Sequence, residues 1–212
     1  MSPGLNGLKL AVPRGAMFRE TLDLLDALGV DTAEVRANDR KLLFEDAGLI
    51  TMRPSDVPTY VEAGAADLGI TGKDVLAEQS ERAVYELLDL RLGPCVMVVA
   101  STAGEDRLDE ALRRLGVMRV ATKYPRIAAT FFERTGRQAE IVEVKGSVEL
   151  APLTGLVEAI VDLTATGTTL RENRLVVREE IAIATARLIA NPVAHKLKAP
   201  AIDEVVEGLR GR

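Results

Sequence analysis

The chain has 212 residues, 47% apolar and 28% charged, which is enough for one large or two small globular cores. Its formal charge of −5 and its 3% aromatic content, with no Trp, exclude the basic stripe and stacking platforms that nucleic-acid readers use. Cys95 and His195 are the only residues of their kinds, so an intramolecular disulfide and a Cys-rich metal site are ruled out, and any His-based triad would rest on one imidazole.

Leu8 to Val12 is a short apolar run broken by Pro13 and followed by Gly15. Phe18, Leu22, Leu25 and Leu28 then recur at helical spacing, and Gly29 ends the pattern. Strand, loop and helix in that order open an α/β unit, and the loop Pro13-Arg14-Gly15 lies at the strand's carboxyl end, where open α/β sheets bind ligands. Arg40 to Met52 reads as two short strands around Asp46-Ala47-Gly48. Ser55 is placed to cap a helix whose first turn holds Asp56, Val57 and Pro58. Asp67 to Thr71 is another short strand closed by Gly72, and Lys73 to Ala77 starts a helix. Val84 to Leu90 and Cys95 to Ala100 read as strands, with Cys95 expected to be a buried, inert thiol.

From about Glu105 the alternation restarts. Leu108, Leu112 and Leu115 share a helical face, Val117 to Thr122 is a strand, Ile127 to Phe132 belongs to a helix, and Ala139 to Val144 is a strand. The basic residues Arg113, Arg114, Arg119, Lys123 and Arg126 read as a solvated helix face plus a loop. Leu156 to Asp162 is a buried strand, Glu180 to Ile189 alternates like a strand, and Asn191-Pro192 opens a helical tail through Leu209. Two runs of strand–helix alternation give an α/β chain with mostly parallel sheets. A return of the last strand to the first lobe gives residues 1–98 plus 181–212 as one lobe and 99–180 as the other, with a cleft between them. The N-terminus lacks a signal-peptide pattern and no apolar run nears the ~20 residues of a membrane span, so a cytoplasmic protein is expected, free of membrane and nucleic acid.

Glu158-Ala159-Ile160-Val161-Asp162-Leu163-Thr164-Ala165-Thr166-Gly167-Thr168-Thr169-Leu170 carries the strongest chemistry. A buried strand delivers a carboxylate, then small residues and hydroxyls, then a helix start. Backbone N–H groups and Thr hydroxyls there can approach a phosphate, whereas Asp162, an acceptor, suits sugar hydroxyls. A tight strand–turn–helix connection with Thr caps is the structural alternative, and the Lys of a Walker loop is missing. Arg14 and Arg53 stand at strand ends as candidate clamps for a diphosphate. Asp67, Gly69, Thr71 and Gly72 form a similar small-residue exit, and Glu149 follows Lys145-Gly146-Ser147 in a loop before a helix. No carboxylates have the local spacing of a metal site, so Mg²⁺ is expected to arrive bound to substrate.

Four segments in register resemble one family. Leu10 to Gly15 is similar to the opening strand and basic-Gly loop of ATP phosphoribosyltransferase. Arg53 to Val61 and Gly64 to Gly72 are similar to its first-lobe signature, and Gly146 to Pro152 with Gly155 to Leu170 to its phosphoribosyl-diphosphate segment. The resemblance implies a two-lobed, type II periplasmic-binding-protein-like fold with the site in the cleft. It implies transfer of the phosphoribosyl group of 5-phosphoribosyl 1-diphosphate to N1 of ATP, with Mg²⁺ and release of diphosphate, as the first step of histidine biosynthesis. Carried onto this chain, it makes Arg14 and Arg53 catalytic. Gly15, Asp67, Leu68, Thr71, Glu149, Asp162, Thr164, Ala165, Thr166, Gly167, Thr168 and Thr169 become substrate-binding. Ending soon after the helical tail, the chain resembles the short form, which implies homodimeric catalytic units in a hetero-octamer with a histidyl-tRNA-synthetase-like regulatory subunit. The basic-Gly loop often carries Lys, and Arg14 departs from that. A non-catalytic two-lobed solute receptor and the ligand-sensing domain of a transcription regulator are the rival readings.

Overall fold

A computed structural model describes residues 4–79, 81–104 and 107–210; the restart near Glu105 lies outside them. In chain order the elements begin β1 (Leu10–Pro13), α1 (Phe18–Ala27), α2 (Ala33–Ala37), β2 (Leu43–Phe44), β3 (Leu49–Met52), α3 (Val57–Glu62), β4 (Leu68–Gly72), α4 (Lys73–Glu78) and β5 (Tyr85–Asp89). They continue with β6 (Cys95–Thr102), α5 (Arg107–Leu115), β7 (Met118–Thr122), α6 (Pro125–Arg134), β8 (Ala139–Glu143), α7 (Leu150–Leu153), β9 (Ala159–Thr164), α8 (Thr168–Glu172) and β10 (Leu175–Ala184). The last three are β11 (Ala186–Ala190), α9 (Pro192–Leu197) and α10 (Ala199–Arg210).

The chain divides into two compact units, residues 1–93 with 185–212, and residues 94–184. The boundaries read from sequence, 98/99 and 180/181, fall inside β6 and β10, whereas the chain changes unit just before β6 and just after β10. Each unit has its own sheet. The first is ordered β2-β3-β1-β4-β11-β5 and the second β10-β6-β9-β7-β8. Only part of each sheet is parallel: β3, β1 and β4 in the middle of the first, and β9, β7 and β8 at one side of the second. The flanking pairs are antiparallel, so the sheets are mixed rather than mostly parallel. In the first sheet the short β2–β3 hairpin produces one such margin and β11, returning after the second unit, the other; in the second sheet β6 runs against both β9 and β10.

In the first unit, alternate side chains of the central strands go to opposite faces. Leu10, Val12, Leu68, Ile70 and Leu188 pack with Leu22, Leu25 and Ile202, while Ala11 and Ile189 pack with Val57 and Val61 of α3. Helix α3 lies directly on β4 because position 69 is Gly: a Cβ there would meet Val57 at 2.6 Å and Val61 at 2.7 Å. In the second unit, Met97, Val99, Val120 and Val161 face Ala128 and Phe132, and Val98, Ala100, Ala121 and Ile160 face Val148 and Leu170. Burial on both faces explains the near-continuous aliphatic runs.

Several expectations shift in detail. Asp56, not Ser55, precedes α3, and no side chain caps it; the Ser55 hydroxyl contacts Asp56 Oδ1 at 3.3 Å instead. Cys95 is half-buried. The helical tail is two helices, parted at Lys198.

Candidate functional site

The parallel strands β7, β8 and β9 all end at one edge of the second sheet, with Thr122 in register with both Val161 and Glu143. Their exits therefore bring together the turn at Lys123, the segment from Val144 to Glu149 and the loop from Thr164 to Thr169. A hollow of about 170 Å³ opens there, lined by Glu149, Asp162, Leu163, Thr164, Ala165, Thr166, Thr168, Thr169 and Leu170. The carboxylate and the Thr/Gly loop picked from sequence thus share one cavity, and Glu149 joins them.

The loop is held by its own hydroxyls. Gly167 N–H donates to Thr164 Oγ1 at 2.8 Å, and the hydroxyls of Thr166 and Thr168 lie 2.9 Å apart. Arg171, in α8, reaches back to donate to the Thr166 carbonyl at 2.8 Å and to Thr168 Oγ1 at 3.0 Å. Gly167 is needed twice. Its φ of +69° is left-handed, and a Cβ would stand 3.0 Å from the Arg171 guanidinium. Arg171 was not singled out from sequence, although its place one turn into the helix after the loop was a usable signal.

Asp162 is 8% exposed. Burial pushes its carboxyl above the ordinary value, the Lys123 ammonium and the Leu163 amide pull the other way, and Glu149 adds to the rise. Oδ1 accepts from Leu163 N–H at 2.8 Å and faces Lys123 Nζ at 3.5 Å. A carboxylate in so dry a place is costly to keep, and a raised carboxyl in a cavity is the mark of a binding or reacting group. Lys123 was read from sequence only as part of a solvated basic run. Its position just past β7, beside the strand that carries Asp162, was the signal.

In the first unit, Arg14, Arg53 and Thr71 lie at the carboxyl edge of the parallel strands, with Pro13 in register with Met52. The Arg14 guanidinium is occupied: it donates to Thr51 Oγ1 at 2.9 Å and to the carbonyls of Asp39 and Lys41 at 2.6 and 2.8 Å. It also stacks over Phe18, 5.3 Å from the ring centre. Gly15 is exposed beside it with φ +99°. Arg53 is exposed. Buried Thr71 donates to the Pro54 carbonyl at 2.8 Å, which fixes the turn carrying Arg53.

Asp67 and Leu68 are not brought to this edge. Leu68 begins β4, where it pairs with Leu10, and Asp67 immediately precedes it, so both lie at the opposite end of the strands. Leu68 is core. The Asp67 carboxylate accepts from Lys9 N–H at 2.8 Å and from Lys198 Nζ at 2.9 Å, which makes it a tie between strand and tail rather than part of a ligand cavity.

A larger hollow of about 270 Å³, lined by Arg107, Glu110, Ala111, Arg114, Leu115 and Glu158, sits by the amino ends of β7 and β9. Its charges are largely paired, Arg114 with Glu110 at 3.0 Å and Glu158 with Arg119 at 2.6 Å, so chemistry is better sought at the other edge. Among the described residues no His, Cys, Asp and Glu group of three or more could hold a metal ion, and no helix is long and apolar enough to cross a membrane.

The family model described as HisG, ATP phosphoribosyltransferase, matches residues 53–211. An ATP phosphoribosyltransferase of Rubrobacter xylanophilus is 53% identical over 197 residues, covering 92% of this chain and 91% of the relative. ATP phosphoribosyltransferase 2 of Geobacter sulfurreducens is 48% identical over 206 residues, covering 95% and 96%. Among solved structures, the ATP phosphoribosyl transferase (HisG:HisZ) complex from Thermotoga maritima aligns with a TM-score of 0.77 at 32% identity, over 97% of this chain and 100% of that one.

Proposed function

The chain belongs to the ATP phosphoribosyltransferase family, and from that premise we propose how its residues divide the work. The fold is of the two-lobed, type II periplasmic-binding-protein-like class. The enzyme is a pentosyltransferase: N1 of the ATP adenine attacks C1 of 5-phosphoribosyl 1-diphosphate and diphosphate leaves, the first step of histidine biosynthesis. Membership of this family replaces the solute-receptor and transcription-regulator alternatives.

Such a transfer needs no covalent intermediate. The ribosyl carbon becomes oxocarbenium-like, and the protein contributes by positioning the reactants and stabilising charge on the leaving diphosphate. In our reading, the amides and hydroxyls of Thr164, Ala165, Thr166, Gly167, Thr168 and Thr169 hold the 5-phosphate, and Asp162 accepts from the ribose hydroxyls. Arg53, exposed and without a hydrogen bond or ion pair to its side chain among the described residues, offers its guanidinium to the diphosphate. The partners of Arg14 are neutral carbonyls, a hydroxyl and a ring, so its charge remains while its N–H groups order residues 38–41. Thr71 acts through Arg53 by holding Pro54. Mg²⁺ is proposed to enter bound to the diphosphate, whose charge it neutralises.

The observation that supports this reading most is the shared cavity of Asp162, Glu149 and the Thr/Gly loop. The Thermotoga maritima complex pairs HisG with HisZ, and we extend this to a HisZ-like regulatory partner here, in a hetero-octamer built on homodimeric catalytic units. The cytoplasm, which supplies both substrates, is the proposed compartment. Calorimetry with 5-phosphoribosyl 1-diphosphate, with and without Mg²⁺, tests the site: binding by the wild type that is lost in Asp162→Asn is expected. Equal binding by both proteins would remove the ribose assignment. Formation of phosphoribosyl-ATP, followed by absorbance with and without the partner, tests the assembly.

A further inference from the structure

We propose that Lys123 is a positioning residue for the ribose-binding carboxylate: its ammonium pins Oδ1 of Asp162, so that Oδ2 is presented to the sugar hydroxyls as a charged acceptor. The proposal rests on the reading that Asp162 receives the ribose, and it adds a residue to which no role has yet been assigned.

The turn carrying Lys123 is built rather than incidental. Thr122, fully buried, donates its hydroxyl to the Val161 carbonyl at 2.6 Å and accepts from Tyr124 N–H at 2.8 Å. One side chain thereby closes the turn around Lys123 and ties it to the strand that carries Asp162, at the residue immediately before Asp162. The Lys123 ammonium then sits over the Tyr124 ring, with Nζ 5.1 Å from its centre. A side chain that is ordinarily mobile is held at its root and at its tip.

Its reach ends at one oxygen. Lys123 Nζ and Leu163 N–H both address Oδ1, at 3.5 and 2.8 Å, and Oδ2 has no hydrogen-bond partner among the described residues although Asp162 lines the cavity. That asymmetry matches a carboxylate anchored through one oxygen and used through the other. The charged groups facing Asp162 are Lys123 from the turn after β7 and Glu149 from the start of α7. Burial and Glu149 both favour the protonated acid, which would present a hydroxyl and accept poorly; the Leu163 amide opposes them, and Lys123 is the charged group that does so. As a stabilising device alone the contact is poor. The lysine side chain is 44% exposed, and pairs of that kind contribute little against the entropy of holding a long side chain. Keeping a buried acceptor charged is the better explanation of so constrained a lysine.

The test is the pH dependence of 5-phosphoribosyl 1-diphosphate binding, measured by calorimetry on the full chain from pH 5.5 to 8.5 for wild type, Lys123→Met and Lys123→Arg. The ligand's own titration is common to all three proteins, so the differences report on the protein. The expected result for Lys123→Met is an acid limb moved upward by about one pH unit, with binding up to about tenfold weaker on the acid side of the wild-type limb and close to wild type at pH 8.5. Lys123→Arg restores most of the limb. The carbon-13 resonance of the Asp162 carboxyl in the ligand-free protein should titrate at higher pH in Lys123→Met, a readout that needs no ligand. Coincident limbs and coincident carboxyl titrations overturn the proposal, as does a loss of affinity equal at every pH. If Asp162→Asn binds as the wild type does, the ribose assignment underneath fails. If Asp162→Asn loses binding while Lys123→Met keeps the wild-type limb, only the role of Lys123 fails.

Discussion

Thr168 is the side chain on which the phosphate loop converges, since its hydroxyl oxygen accepts from Arg171 and lies beside Thr166. A hydroxyl that accepts from a guanidinium is a stronger donor in turn, because chained hydrogen bonds polarise one another. Thr168→Ala should weaken binding of the sugar diphosphate by ~1–3 kcal/mol, as the loss of a charge-assisted hydrogen bond does, and an unchanged dissociation constant would take the residue out of the site. Asp162 makes the opposite point about stability. Its carboxyl is raised in the folded protein, mainly by burial, so between its ordinary value and the raised one the native state binds more protons than the unfolded chain. Stability from this group therefore falls as pH rises through that window. Asp162→Asn should raise the melting temperature at pH 7, by about 2–4 °C for each kcal/mol relieved, with the gain vanishing below the ordinary carboxylate range. A lower melting temperature at pH 7 would contradict the burial argument. These residues were legible because strand, carboxylate and hydroxyls are contiguous. Lys123 was not, because its significance lies in a partner 39 positions on. Asp67 was misplaced because its tie to Lys198 spans 131 positions, which no local pattern can show.

At the scale of elements, the apolar runs gave the central strands and their exits, since a strand buried on both faces advertises itself. The boundary they missed is at Thr185. Alternation from Glu180 to Ile189 reads as one strand, but β10 pairs with β6 in one sheet and β11 with β4 in the other. Period-two alternation reports extended backbone and carries no information about which neighbour supplies the hydrogen bonds. Charge pairs between elements were equally silent. Arg119 on β7 grips Glu158, just ahead of β9, through its backbone N–H at 2.6 Å and its guanidinium at 2.6 Å, at the end of the strands away from the cavity. Burial alone would raise Glu158, yet the hydrogen bonds and charge of Arg119 hold it below the ordinary glutamate value. The stability it contributes is present above the unfolded carboxyl value and is lost as pH falls through the lower folded one. Glu158→Gln should cost about 1 kcal/mol at pH 7, at the modest end because Arg119 is partly in solvent, and little at pH 3. Equal losses at both values in denaturant titrations would show that packing, not charge, is the cause.

For the molecule as a whole, the two units differ in how the chain builds them. The first is discontinuous, completed only when β11, α9 and α10 return to it, while the second is one stretch, residues 94–184. Its two ends are neighbours, because Cys95 pairs with Ala184 across β6 and β10, so excising the stretch breaks no strand. It keeps its own five-stranded sheet and both of its aliphatic clusters. Lys123, Glu149, Asp162, Arg171 and the Thr/Gly loop all fall within it, whereas Arg14 and Arg53 do not. A stretch with its own core and adjacent ends has the properties of an independent domain. Expressed alone, residues 94–184 should therefore unfold in a single cooperative transition and bind 5-phosphoribosyl 1-diphosphate roughly ten- to a hundredfold more weakly than the full chain, the cost of losing one or two charged contacts. It should form no phosphoribosyl-ATP. A folded fragment that shows no binding by calorimetry at millimolar ligand would mean that the phosphate is held chiefly by the first unit, and the Thr/Gly loop would revert to a strand–turn–helix connection with Thr caps.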